Sequence, residues 1–528
     1  MRLPIVYAVL SICVTFAGLK GAGTNCADLS KLSLPSTTIH SAEAVPAGPF
    51  TPPGSQTIGD APAFCRVAGV IQPVDDSSIQ FEVWLPASGW NGKFQGVGNG
   101  GFAGVINYSG LADAVKHGYA GASTDTGHHA GGTDASWALA HPEKIVDFGY
   151  RAIHETTEKA KAIIHAFYGD APRRSYFSAC SNGGRQALME AQRFPADYDG
   201  ILAGAPASYW THLLTTAITD SQALLADPAS YIPASKVPAI EAATLEACDA
   251  LDGVKDGVID NPPQCHFDPS KLLCKGADAD NCLTAPQVEA LKKIYAGPRT
   301  SKGEQLFPGY SVGGEAGGGG WSLWIFGSGP TKSLMYAFGT QFFKNMVFDD
   351  PAWDFRTFQV DRDVKIADDK MSQRLNATNP DLSAFKKRGG KLIVYHGWSD
   401  AAIAPVNAIN YYQSVVSKMG AKDSNSFVRL FMVPGMQHCA GGPGPNSFGQ
   451  FGAAQGDPQH DMAAALEQWV DKGVAPEQVI ATRYKVGMNP ASGVQRTRPL
   501  CAYPKIARWS GQGSSDDASN FVCAEPAK

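Results

Sequence analysis

The order of its segments restricts the fold of this chain more than any other feature. Short apolar runs of strand type fall at residues 79–85, 93–97 and 119–122. A segment with apolar residues at helical spacing (Ile145, Phe148, Ala152, Ala160, Ile163, Ile164, Phe167) follows and ends at Gly169. Strand-like runs return at residues 175–178 and 200–203, and then the regularity is lost over residues 208–377. It resumes with a strand at 391–395, a helix at 406–419, a strand at 428–433 and a helix at 462–470. Strands alternating with helices indicate an α/β domain with a parallel sheet, and the irregular block reads as an insertion into it. The expected division is a leader over residues 1–22, a first core part over 23–207, an inserted domain over 208–378 and a second core part over 379–528.

The leader reading rests on Met1-Arg2, an apolar run to about Ala17 and small residues after it, the pattern of a secretory signal peptide. The apolar run is shorter than the roughly 20 residues that span a bilayer. A secreted or periplasmic protein with no membrane partner is therefore expected. Lysine plus arginine number 44 against 49 aspartate plus glutamate, a net charge of −5 with no long basic run, which argues against nucleic acid as a partner. Eleven cysteines occur, and Cys13 leaves with the leader. Ten remain, an even number that in an exported chain suggests disulfides. Spacing pairs Cys248 with Cys265, Cys274 with Cys282, Cys501 with Cys523 and Cys26 with Cys65, which leaves Cys180 and Cys439 as one long-range pair. Two glycosylation sequons begin at Asn107 and Asn376.

Candidate chemistry sits at strand ends. Tyr176-Phe177-Ser178-Ala179-Cys180-Ser181-Asn182-Gly183-Gly184-Arg185 reads as strand, tight turn and helix start. A serine on such a turn presents its hydroxyl above the sheet as a nucleophile; the alternative is a simple helix cap. The hydroxyl needs a base, and the base a carboxylate to fix its tautomer. His396-Gly397-Trp398-Ser399-Asp400 follows one strand, and Pro434-Gly435-Met436-Gln437-His438-Cys439 follows the next. Asp400 and His438 thus complete the order Ser, Asp, His. His396 is a rival base but precedes Asp400 and reads as part of the turn.

The cysteines constrain the same two positions independently. Cys180 immediately precedes Ser181 and Cys439 immediately follows His438, so a bond between them would bring hydroxyl and imidazole together. For an oxyanion, the backbone N–H of Asn182 is one expected donor, and Gly100 or Gly101 in Gly98-Asn99-Gly100-Gly101 another. Inside the irregular block, aspartates interleave with glycines from Cys248 to Asp260. Carboxylates of Asp249, Asp252 and Asp256, with carbonyls of Val254 and Val258, form a candidate structural Ca²⁺ site; the spacing is not that of an EF-hand.

Taken together, Ala-Cys-Ser-Asn-Gly-Gly-Arg, His-Gly-Trp-Ser-Asp and Gly-Met-Gln-His-Cys resemble the CS-D-HC arrangement of the tannase and feruloyl esterase family, which includes mono(2-hydroxyethyl) terephthalate hydrolases. Ala179 stands where family members usually carry glycine. The resemblance implies an α/β-hydrolase core with a large inserted lid domain. It implies Ser181, Asp400 and His438 as catalytic triad, a Cys180–Cys439 disulfide, and Ca²⁺ at Asp249, Asp252, Val254, Asp256 and Val258, with no organic cofactor. The expected activity is hydrolysis of small aromatic esters, feruloyl (hydroxycinnamoyl) or galloyl, whose alcohol is carried by plant polysaccharide or tannin. A terephthalate monoester hydrolase is the alternative, and a non-catalytic exported binding protein a remote one. Lid aromatics are Trp321, Trp324, Phe326, Phe342, Phe343 and Phe348; Trp321 is the one expected to face substrate.

Overall fold

A computed structural model describes residues 23–526. The leader assigned to residues 1–22, with Cys13, lies outside the described residues. Nine strands form one sheet: β1 (Thr37–Val45), β2 (Phe64–Ile71), β3 (Ile79–Pro86), β4 (Lys93–Val97), β5 (Ala120–Thr124), β6 (Arg174–Cys180), β7 (Gly200–Gly204), β8 (Lys391–Gly397) and β9 (Val428–Val433). Their order across the sheet is β1-β2-β3-β5-β4-β6-β7-β8-β9. Pairing is antiparallel from β1 through β3 to β5 and parallel from there to β9. Parallel strands buried on both faces read as unbroken apolar runs. Leu392-Ile393-Val394-Tyr395 is such a run, and all four are buried. The edge strand β1 alternates instead between half-buried and exposed residues along much of its length.

Helices cover both faces. α1 (Tyr108–Lys116) starts on an Asn107 cap, whose side chain accepts from the Gly110 N–H. α2 (Ala152–Tyr168) stops where Gly169 takes a left-handed conformation, φ +75°. α3 (Asn182–Arg193) is buried from its first residue to Ala191. It packs on β6 and β7, below the segment that enters α2.

Past β7 the chain leaves the sheet and returns only at β8. Between them lie α4 (Trp210–Leu225), α5 (Val237–Cys248), α6 (Ala285–Ala296), α7 (Leu334–Phe342) and α8 (Val360–Leu375). Their apolar faces make one cluster, with Leu213, Ile218, Ile240, Leu291, Phe342 and Leu375 at its heart. Phe102 and Phe148 of the sheet domain belong to the same cluster, so the insertion is rooted in the core. At roughly 1.5–3 kcal/mol per fully buried large apolar side chain, this shared packing holds the two parts together. α9 (Val406–Met419) and α10 (Met462–Lys472) then complete the layers over β8 and β9.

Among the described residues five disulfides are formed: Cys26–Cys65, Cys180–Cys439, Cys248–Cys265, Cys274–Cys282 and Cys501–Cys523. Four close short or moderate loops, whereas Cys180–Cys439 spans 259 positions. Among the described residues no helix is long and apolar enough to cross a membrane. Both sequon asparagines use their amide nitrogens inside the fold, Asn107 donating to the Gly98 carbonyl and Asn376 to the Thr211 hydroxyl.

Candidate active site

β6 lies near the middle of the sheet, and the turn that ends it carries Ser181. The residue sits at φ +68°, ψ −125°, a region costing a non-glycine residue about 1–3 kcal/mol. Surrounding backbone holds it there. The Ser181 N–H donates to the Gly204 carbonyl at 3.0 Å, and its carbonyl accepts from Arg185 and Ala207, each at 3.1 Å. Two glycines make the turn possible. A Cβ on Gly184 would lie 2.2 Å from the Gly204 oxygen, and one on Gly183 2.5 Å from the Cβ of Ala179. The Ala179 methyl occupies the space left by Gly183 and by Gly98, where an added Cβ would lie 2.5 and 2.7 Å from it.

Asp400 and His438 stand in the turns after β8 and β9. The His438 Nε2 is 2.9 Å from the Ser181 Oγ, and its Nδ1 is 2.8 Å from the Asp400 Oδ2. The other carboxylate oxygen, Oδ1, accepts from the N–H groups of Ala402 and Ile403 at 2.8 and 3.0 Å. Burial opposes charge on Asp400, but the neighbouring His438 and hydrogen bonds from both His396 and His438 outweigh it, holding the carboxyl well below the usual carboxylate range. A carboxyl with a lowered folded-state pKa stabilises the fold above its unfolded value of about 3.9 and loses that contribution only as pH falls through the lower folded value. Asp400 thus stays ionised across the range in which imidazoles titrate. It fixes a hydrogen on His438 Nδ1 and leaves Nε2 to accept from the Ser181 hydroxyl. Cys180 and Cys439 are bonded with Cα atoms 6.0 Å apart, so the turns bearing Ser181 and His438 are covalently tied.

Asn182 and Gly101 border the same space. Asn182 opens α3 and has no preceding helical turn to bond. Gly101 lines the cavity with Ser181 and Asn182, whereas Gly100 faces a polar cleft outside it. Gly101 has φ +55°, and a Cβ there would lie 2.2 Å from the Gly132 oxygen, so only glycine fits. Asn99 secures this loop by donating to the carbonyls of Val105 and Thr124. Arg185 is wholly buried and donates to the Asn182 Oδ1 and to the carbonyls of Phe148 and Gly149, bracing the first turn of α3.

Beside Ser181 the cavity is apolar, walled by Trp210, Leu213, Trp324, Met335, Phe338 and Ile403. The Trp324 ring lies 4.9 Å from that of His438 at an interplanar angle of 75°. Trp321, the tryptophan expected to face substrate, is instead 2% exposed and sits among Tyr295, Tyr310 and Phe326. The lid core takes the first tryptophan of the single turn Trp321–Trp324, and the cavity takes the last. Phe326, Phe342 and Phe343 are buried in the same lid core.

The aspartate loop lies apart from Ser181. Asp249 accepts from the N–H groups of Asp256 and Gly257, and Asp252 accepts from that of Val254. Asp256 pairs with Arg496 and Arg498 of the C-terminal hairpins. Asp260, outside the expected set, is 4% exposed with its Oδ1 unpartnered. Burial pushes the carboxyl of Asp252 up to about 6 and that of Asp260 up to about 7, with neighbouring aspartates adding to both shifts. Of the four acidic groups only Asp256 is paired with a guanidinium. Oxygen donors of this kind are those a divalent cation takes, but among the described residues no three of these carboxylates bring oxygens within 4.8 Å of one another.

Sheet order, the elbow after β6 and the placement of Asp400 and His438 at later strand ends define an α/β-hydrolase. The chain belongs to the tannase and feruloyl esterase family, whose model matches residues 65–524. It is 47% identical to an uncharacterized esterase of Xanthomonas campestris pv. campestris, over 96% of this chain and 92% of that protein. It is 35% identical to a probable feruloyl esterase B-2 of Aspergillus flavus, over 83% of each chain. The crystal structure of feruloyl esterase B from Aspergillus oryzae superposes with a TM-score of 0.87 at 31% identity, covering 95% of this chain and all of that one. Tannin acyl hydrolase from Aspergillus niger gives 0.74 at 25% identity, over 93% and 92%. With this family the protein is a carboxylic ester hydrolase.

Proposed function

We propose that the protein hydrolyses esters of aromatic carboxylic acids, feruloyl or galloyl type, through an acyl-enzyme on Ser181. The observation that carries this reading is the continuous contact from Ser181 through His438 to Asp400 beside an apolar, tryptophan-walled cavity. His438 takes the Ser181 proton as Oγ attacks the acyl carbon, and the buried Asp400 carboxylate stabilises the resulting imidazolium. The N–H groups of Asn182 and Gly101 hold the negative oxygen of the tetrahedral intermediate. Collapse breaks the ester bond, and the alcohol leaves with the proton that His438 returns. Water then attacks the acyl group by the same relay, releasing the acid and restoring Ser181. The feruloyl and tannin acyl esterases to which the chain is similar support the aromatic acyl class.

Methyl ferulate, methyl gallate, mono(2-hydroxyethyl) terephthalate and an aliphatic ester of matched alcohol form the test panel. Preference for an aromatic acid is expected, and preference for the aliphatic ester would overturn the reading. Trp324 is the wall aromatic whose ring meets that of His438, 4.9 Å away. Trp324→Ala should lower kcat/KM on aromatic esters by about 10- to 100-fold, with a much smaller loss on the aliphatic ester. An equal loss on both would mean that Trp324 only supports His438.

Ca²⁺ is the proposed cation of the lid loop, held by the carboxylates of Asp249, Asp252 and Asp256 and the carbonyls of Val254 and Val258. It would neutralise the acidic cluster and brace the Cys248–Cys265 loop, and it takes no part in the reaction. Chelation is expected to lower Tm by about 2–3 °C, corresponding to an ion present at about 100 times its Kd. Restoration by Ca²⁺ but not Mg²⁺ would match oxygen ligation at a flexible loop, and an unchanged Tm would remove the site. The leader-like start and the five disulfides support export.

A further inference from the structure

His396 is left over by the mechanism above, yet it is a titratable ring in contact with Asp400 and has no exposed surface. It ends β8, four residues before Asp400. Its Nε2 lies 3.1 Å from the Asp400 Oδ2 and 3.0 Å from the Ile403 carbonyl oxygen. An ionised carboxylate and a carbonyl only accept hydrogen bonds, so Nε2 carries the hydrogen and donates. Nδ1 is buried and has no partner among the described residues. A protonated ring would bury an unpaired N–H there, so the geometry calls for a neutral ring with its lone pair on Nδ1.

Asp400 is therefore held by four donors. Two backbone N–H groups fix Oδ1, while the two imidazoles share Oδ2. The other titratable groups facing this cluster are His438 and, from the lid, Tyr310 with Asp220 beside it. Burial raises the pKa of both, and neither is among the donors to Asp400, the Tyr310 hydroxyl having no hydrogen-bond partner among the described residues.

We propose that His396 is a positioning residue: by donating to Asp400 it fixes the carboxylate plane and tempers the charge that Asp400 offers to His438. The proposal rests on the triad reading and goes beyond it in two respects. Without the His396 donor, Oδ2 has one donor, and the carboxylate is free to turn away from the His438 Nδ1. A less dispersed carboxylate charge also holds a proton on His438 more firmly, so the free base persists only at higher pH.

Kinetics of His396→Leu and His396→Gln on one aromatic methyl ester test this, with Ser181→Ala as background. Leucine keeps most of the volume and removes the donor; glutamine can return an N–H near the position of the imidazole Nε2. For His396→Leu, kcat should fall about 10- to 100-fold with KM within about twofold. The acid limb of its kcat/KM profile should move up by about half to one pH unit. His396→Gln should recover most of kcat and bring the limb back. A loss matching the loss of folded protein, with the limb unmoved, would overturn the proposal, as would a leucine variant of full activity. Should the leucine variant fail to fold, His396→Asn takes its place, because its shorter amide cannot reach Asp400. Equal rates for the asparagine and glutamine variants would also reject the role. Undiminished turnover by Ser181→Ala would instead remove the triad reading beneath it, so the two failures are separable.

Discussion

Ser181→Ala is expected to lower ester hydrolysis by about 10⁴- to 10⁶-fold while leaving Tm within about 1 °C of the parent. The loss should be large because, among the described residues, no other hydroxyl hydrogen-bonds to the His438 Nε2. On the proposed mechanism the base, carboxylate and oxyanion donors all remain in the variant, but the covalent intermediate cannot form. Stability should barely change, because alanine adopts the same φ +68° backbone with similar strain and the turn is held by main-chain bonds. The variant loses one side-chain hydrogen bond, and its donor and acceptor border a cavity that water can enter. Circular dichroism with steady-state rates separates the two quantities. A variant that is both inactive and unfolded would leave the rate uninterpretable, so Tm must be measured on the same sample.

The second large effect is expected from Cys180→Ala combined with Cys439→Ala. Cutting a cross-link that spans 259 positions releases denatured-state entropy worth about 5 kcal/mol on the chain-entropy model. The folded state also loses registry between two turns. Cys439 is itself in a positive-φ conformation, +64°, so the backbone next to His438 depends on its neighbours for its shape. A displacement of about 1 Å between reacting groups can cost on the order of 100-fold in rate. Activity of the folded double variant is therefore expected to fall by about that factor, with KM changed less than kcat. The Cys274→Ala, Cys282→Ala pair is the control. It removes a bond spanning 8 positions in an exposed part of the lid, and kcat should be unaffected. Equal kcat losses in both double variants would show that Cys180–Cys439 has no special relation to the relay.

The parts of this site that were legible in the sequence are those fixed by local rules. A strand, a small-residue turn and a helix start mark the Ser181 elbow because the backbone there tolerates little else. Asp400 and His438 follow strands that are buried on both faces and so stand out as apolar runs. The Cys180 and Cys439 positions gave the long-range relation that motif spacing alone cannot supply. What stayed hidden depends on packing between distant segments. Trp321 and Trp324 are equivalent in composition and share one helical turn. Only the lid core, built around Tyr295, Tyr310 and Phe326, decides which of them reaches the cavity. That Gly101 rather than Gly100 lines the cavity beside Ser181 depends on how the loop folds against Gly132. Asp256 meets Arg496 and Arg498 across about half the chain, and no periodicity announces such a pair. His396 was visible as a histidine near Asp400, but its role depends on which nitrogen faces the carboxylate.

Trapping the acyl-enzyme tests the central claim most directly. The protein is mixed with an activated ferulate ester, quenched with acid within the first turnovers, digested and mapped by mass spectrometry. One feruloyl group per chain is expected, on the peptide carrying Ser181, and none in Ser181→Ala. Rapid hydrolysis with the acyl group on another residue, or with no covalent species while Ser181→Ala keeps its rate, would contradict the account.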